Sequence, residues 1–146
     1  MEDRFELSRF VQAQQSIYVQ AVAELRAGHK RSHWMWFIFP QMAGLGHSAM
    51  ARRYAISSIG EAKAYLHHPV LGARLRECSA LVLAAADRSA HEIFGSPDDM
   101  KFRSCMTLFR RAHPAEPIFA QCLEKYFMGE ADPRTLHLLE AGSSPA

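Results

Sequence analysis

Thiols are scarce in this 146-residue sequence: Cys78, Cys105 and Cys122 are all it has. Their number is odd, their spacing is wide and no C-x-x-C pair occurs, so neither a disulfide framework nor a structural zinc site is expected. Charge of one sign is lacking as well. Seventeen Lys and Arg against fifteen Asp and Glu leave +2, which argues against nucleic acid as a partner. No long hydrophobic run exists, and the most apolar stretch, Trp34 to Phe39, is far too short to span a bilayer. The start, Met1-Glu2-Asp3-Arg4, carries acids where a secretory leader is basic. The expected setting is therefore cytoplasmic, without membrane attachment. Eight histidines are present, but no H-E-x-x-H. His91-Glu92 lacks its second histidine, and His67-His68 point to different faces of a helix. No metal and no cofactor is expected.

What the sequence does have is helical period. Hydrophobic residues make up 49% and charged residues 22%, which excludes a disordered chain. From Leu7, apolar residues recur by three or four as Phe10, Val11, Ile17, Tyr18, Ala21, Val22 and Leu25, with Gly28 as a stop. Ser48 caps a segment to Tyr54, and Ser58 caps another to Leu66. Pro69 opens a helix carrying Leu71, Leu75, Cys78 and Val82, and Ser89 begins a single turn ending at Gly95. Ser96-Pro97 leads a helix to about Ala112. A stripe from Ile118 to Phe127 is stopped by Gly129, and Asp132-Pro133 starts a last short helix with Leu136 and Leu139.

Only Trp34 to Phe39 has strand character. A lone strand finds no partner for its backbone, so this run reads as a buried short helix from about Ser32, ended by Pro40. The expectation is a single all-α domain over 5–140, with about seven or eight helices, several of them short, and a loose tail over 141–146.

Polar residues at apolar positions carry the functional signal. On the helix after Pro97, the arc of Phe102, Cys105, Leu108 and Phe109 also contains Asp98 and Lys101. A buried lysine costs several kcal/mol unless paired, and Asp98 lies three residues away, within reach on a helix. Either the pair belongs to the core edge, or it walls a polar pocket where Lys101 and Ser104 bind an anionic or polyhydroxyl group. Gln14 falls between Phe10 and Tyr18 and faces inward, toward a backbone partner or a cavity. Both tryptophans lie in one segment with His33, Gln41, His47 and Ser48 nearby. Trp34 and Trp36 supply core volume or stack on a planar ring whose edge Gln41, His33 or His47 reads. The basic residues at 29–31 read as a solvated face. The cysteines sit on apolar stripes and look inert.

With these residues in view, the sequence resembles a bacterial family catalogued as domain of unknown function 1810, sometimes mislabelled calpastatin. The likeness rests on Arg9-Phe10 with Ala13-Gln14, the run SHWMWFIFPQ from Ser32 to Gln41, and Gly44-Leu45-Gly46. It continues through His68-Pro69-Val70-Leu71-Gly72 with Arg74-Leu75, then Ile93-Phe94-Gly95, Asp98, Lys101 and SCMTLF from Ser104 to Phe109. Cys105 stands where the family usually shows a second serine, which weakens any role for that hydroxyl. The resemblance implies a compact helical domain and no established activity. A more distant likeness, through Lys101-Phe102, is to helical N-glycosidases of riboflavin intermediates and ADP-ribose-processing proteins; no residue of theirs transfers.

The function expected from these features is binding of a nucleotide or ADP-ribose class small molecule, with N-glycoside hydrolysis as the reaction. Cleavage of that bond builds positive charge on the sugar and needs a carboxylate beside it. Asp98 would supply the carboxylate, in an electrostatic role, and Lys101 would meet the leaving group or phosphate. The alternative is an interaction module that docks a partner protein through Trp34–Phe39. Nucleic-acid binding, the third reading, requires Lys30, Arg31, Arg52, Arg53, Arg110 and Arg111 on one surface.

Overall fold

The computed structural model describes residues 3–142, and its regular structure among these residues is ten helices with no strand. They are α1 (Ser8–Gln15), α2 (Tyr18–Arg26), α3 (Met35–Ile38), α4 (Ala49–Arg53), α5 (Ile59–His67), α6 (Leu71–Ala84), α7 (Ala90–Phe94), α8 (Asp98–Ala112), α9 (Pro117–Phe127) and α10 (Pro133–Gly142). The all-α expectation holds. Of the expected tail, Ala141 and Gly142 belong to α10, and residues 143–146 lie outside the described residues.

The helix expected from Leu7 to Leu25 is two. At the break the Ile17 N–H donates to the Gln14 carbonyl at 3.1 Å, a three-residue step, and the Ala21 N–H resumes the ladder at the Ile17 carbonyl. Apolar spacing runs on across the break, so the periodicity does not register it. Ser48, Ser58 and Ser89 cap α4, α5 and α7 as read, and Ser89 with Glu92 closes a capping box. Two starts differ. The first helical residue of α8 is Asp98, with Pro97 itself at the cap position. At α6 the His68 Nδ1 accepts the Val70 and Leu71 N–H groups, so an imidazole, rather than Pro69, organises that first turn.

One hydrophobic cluster runs through the described residues. Its axis is α8, packed by α5, α7, α9 and α10, while α6 packs against α2, α5 and α9. Phe102 meets Phe39 edge-on at 5.0 Å and stacks on Phe94 at 4.9 Å. Each such buried ring contributes roughly 1.5–3 kcal/mol, and together they clamp the single turn of α3 against α8. That clamp brings the segment after α3 alongside the exposed edge of α8. The chain then runs through Gln41, whose carbonyl accepts the Ile56 N–H at 2.8 Å, and an isolated bridge joins Met42 to Ile56.

Candidate functional site

The SHWMWF segment is held from below by a residue the sequence reading did not single out. Glu24 of α2 is only 8% exposed. Its Oε1 accepts the Arg31 and Ser32 N–H groups at 2.8 and 2.9 Å and the Trp34 indole N–H at 3.0 Å. Its Oε2 accepts the Ser32 hydroxyl at 2.6 Å and the Gln20 amide at 3.0 Å. Burial pushes this carboxyl up, but the bonds from Ser32, Arg31 and Trp34 together outweigh it and hold it down at about 2. Trp34 is therefore a core anchor with its N–H engaged, not a ring available to a ligand.

Lys30 also departs from its expected place. The sequence places it on a solvated face, yet its side chain is 8% exposed and its ammonium lies 2.9 Å from Asp98 Oδ2. The cause is tertiary. The Lys30 N–H donates to the Ile93 carbonyl at 2.7 Å, which docks the loop on α7 beside the start of α8. Asp98 is thus bound on both oxygens, with Lys101 Nζ 3.4 Å from Oδ1. Lys101 remains 28% exposed, and its ammonium sits 5.6 Å from the centre of the Trp36 ring.

Lys101 lines an open cleft of about 480 Å³ with Gln41, Leu45, Gly46, His47, Ser48, Met100, Ser104, Asp132 and Arg134. An adjoining hollow of about 270 Å³ is walled by Trp36, Arg52 and Tyr54 and shares Gln41, Gly46 and Ala51 with the cleft. A Cβ on Gly46 would lie 2.6 Å from that of Ala51, so glycine lets the loop lie this close to α4 where the two spaces meet.

Of the residues chosen from sequence, Lys101, Ser104, Gln41, His47 and Ser48 meet in the cleft, and Trp36 in the adjoining hollow. Four do not join them. Gln14 is buried, donating to the Phe37 carbonyl at 2.7 Å and the Tyr65 hydroxyl at 3.1 Å, and accepting from Arg74 at 3.3 Å. Trp34 is interior, His33 is exposed and lines neither space, and Asp98 stands behind Lys101 rather than on the cleft wall. Asp132 and Arg134 are the residues the sequence reading missed. In the sequence Asp132 marks only the start of a helix, and its cleft-side position depends on how α10 packs on α8.

Of the basic residues in the nucleic-acid reading, Arg52 and Arg53 flank one concavity with Arg4, Arg110 and Arg111 line another, and Lys30 pairs with Asp98. Within the aromatic segment Trp34, Met35, Phe37, Ile38 and Phe39 are buried, and Trp36 is the partly exposed member, lining the hollow. Among the described residues no helix is long and apolar enough to cross a membrane.

Residues 4–139 match the model of a family described as protein of unknown function, DUF1810. The fold is similar to that of the conserved hypothetical protein Rv1873 from Mycobacterium tuberculosis, known from a crystal structure. The two are 56% identical with a TM-score of 0.94, over 94% of this chain and 99% of the other. No curated protein matches the chain.

Proposed function

The chain belongs to the DUF1810 family of proteins of unknown function, and from the cleft geometry we propose that it binds a phosphorylated, ribose-containing small molecule of the nucleotide or ADP-ribose class. The observation that carries this reading is Lys101: a partly exposed ammonium braced by Asp98, beside the Trp36 ring, on the wall of an open cleft that mixes apolar and polar side chains. Lys101 and Arg134 suit a phosphate, the Ser48 hydroxyl and Gln41 suit the polar middle of such a ligand, and the Trp36 hollow suits a planar ring.

Hydrolysis of an N-glycosidic bond is not assigned to Asp98. Both of its oxygens are engaged by lysines and it does not line the cleft, so the reading is one of binding.

The test is thermal unfolding with AMP, ADP-ribose and adenosine. Binding to the folded state at a hundredfold excess over Kd raises stability by about 2.7 kcal/mol, so AMP and ADP-ribose raise the melting temperature by several degrees and adenosine by much less. Lys101→Met abolishes the rise while keeping the fold, because Asp98 retains Lys30. If neither phosphorylated ligand moves the transition, or if Lys101→Met unfolds the protein, the reading is wrong.

A further inference from the structure

The cleft holds a carboxylate that a phosphate-binding wall does not call for. Asp132 precedes α10 and lines the cleft together with Lys101 and Arg134. Its Oδ2 accepts the Ser104 hydroxyl at 2.9 Å, the Thr135 hydroxyl at 2.5 Å and the Thr135 N–H at 3.2 Å. Those three bonds saturate one oxygen. Among the described residues none donates to Oδ1.

The backbone around it is pinned too. The Asp132 N–H donates to Thr107 Oγ1 at 2.9 Å, and the Arg103 guanidinium donates to the Glu130 and Ala131 carbonyls, each at 2.9 Å. Capping α10 accounts for the Thr135 N–H alone. The bonds from Ser104, Thr107 and Arg103 come from α8 and fix the carboxylate in relation to the helix that carries Lys101. An ionised carboxylate is acceptor-only and repels phosphate, so the part of a phosphorylated ligand that it takes is a neutral donor, foremost the sugar hydroxyls.

We propose that Asp132 is the sugar-reading residue of the cleft, receiving the ribose 2-hydroxyl on Oδ1, so that the protein selects ribose phosphates over 2-deoxyribose phosphates. This rests on the binding reading above. A hydrogen bond to a charged group corresponds to roughly ten- to hundredfold in affinity.

The experiment is calorimetric titration of the full chain with ribose 5-phosphate, 2-deoxyribose 5-phosphate and inorganic phosphate. The proteins are the wild type, Asp132→Asn, Lys101→Met and Ser104→Ala. Asparagine caps a helix as well as aspartate does, so Asp132→Asn keeps α10. The wild type is expected to prefer the ribose compound about ten- to hundredfold, and Asp132→Asn to bring that ratio close to one without weakening inorganic phosphate. Ser104→Ala frees one anchor of Oδ2 and erodes the ratio several-fold, which serves as the test should Asp132→Asn fail to fold. Equal, Lys101-dependent affinity of the wild type for both sugars overturns the role of Asp132 and leaves the cleft reading standing. An undiminished ratio in both the Asp132→Asn and Ser104→Ala variants does the same. No binding of either sugar phosphate overturns both.

Discussion

Glu24→Gln isolates the contribution of a single carboxylate to the scaffold of the cleft. Five donors converge on that side chain, three of them on Oε1. The amide keeps the shape but turns one acceptor into a donor facing other donors and removes the charge that strengthens each bond. With the folded carboxyl near 2 and an unfolded value near 4.3, linkage gives close to 3 kcal/mol, which solvent screening at a loop reduces to about 2–3 kcal/mol. The sign follows from the direction of the shift. A depressed carboxyl stabilises the fold fully above its unfolded value, and the stabilisation is lost as pH falls from about 4.3 toward 2. Urea unfolding of wild type and Glu24→Gln at pH 7 should show the full gap, equivalent to a melting temperature lower by roughly 6–10 °C. At pH 3 the gap should be roughly halved. A gap that is absent at pH 7, or equally large at pH 3, would refute the claim that the charge of Glu24 holds the Arg31–Trp34 turn in place.

The other predictions concern sites away from the cleft. Met128 is 81% exposed and takes a left-handed conformation (φ 56°) at the end of α9, so Met128→Gly should raise stability by about 0.5–1 kcal/mol in chemical denaturation. A loss instead would mean that the methionine contributes a contact. Gly72 lies so close to α5 that an added Cβ would fall 2.1 Å from the Leu66 carbonyl oxygen. Gly72→Ala should therefore cost at least about 3 kcal/mol or abolish soluble expression, and a melting temperature like that of the wild type would contradict the packing of α5 on α6. Burial raises all three thiols, Cys78 and Cys122 to about 12 and Cys105 well above its ordinary value. A thiol reagent at pH 8 should find none of them in the native protein and all three after unfolding; rapid native labelling would show an opening the fold does not provide.

Local rules determined the helical class, the serine caps of α4, α5 and α7, and the apolar arc of α8. Capping depends on a side chain reaching a backbone amide within three residues, and amphipathic period depends on neighbours one turn apart, so both are written in consecutive residues. The same arc made Asp98 and Lys101 conspicuous, and their contact was readable because three residues on a helix is a fixed distance. Tertiary structure decided the rest. Lys30 reaches Asp98 only because the loop after α2 docks on α7, and Glu24 collects donors up to ten residues away that no helical spacing connects. Asp132 faces the cleft because α10 folds back on α8, where Ser104 and Thr107 hold it. Sequence spacing sets which side chains share a face of one helix; which faces meet is fixed by the burial of Phe39, Phe94 and Phe102 between helices, and non-directional apolar packing leaves no local motif to read.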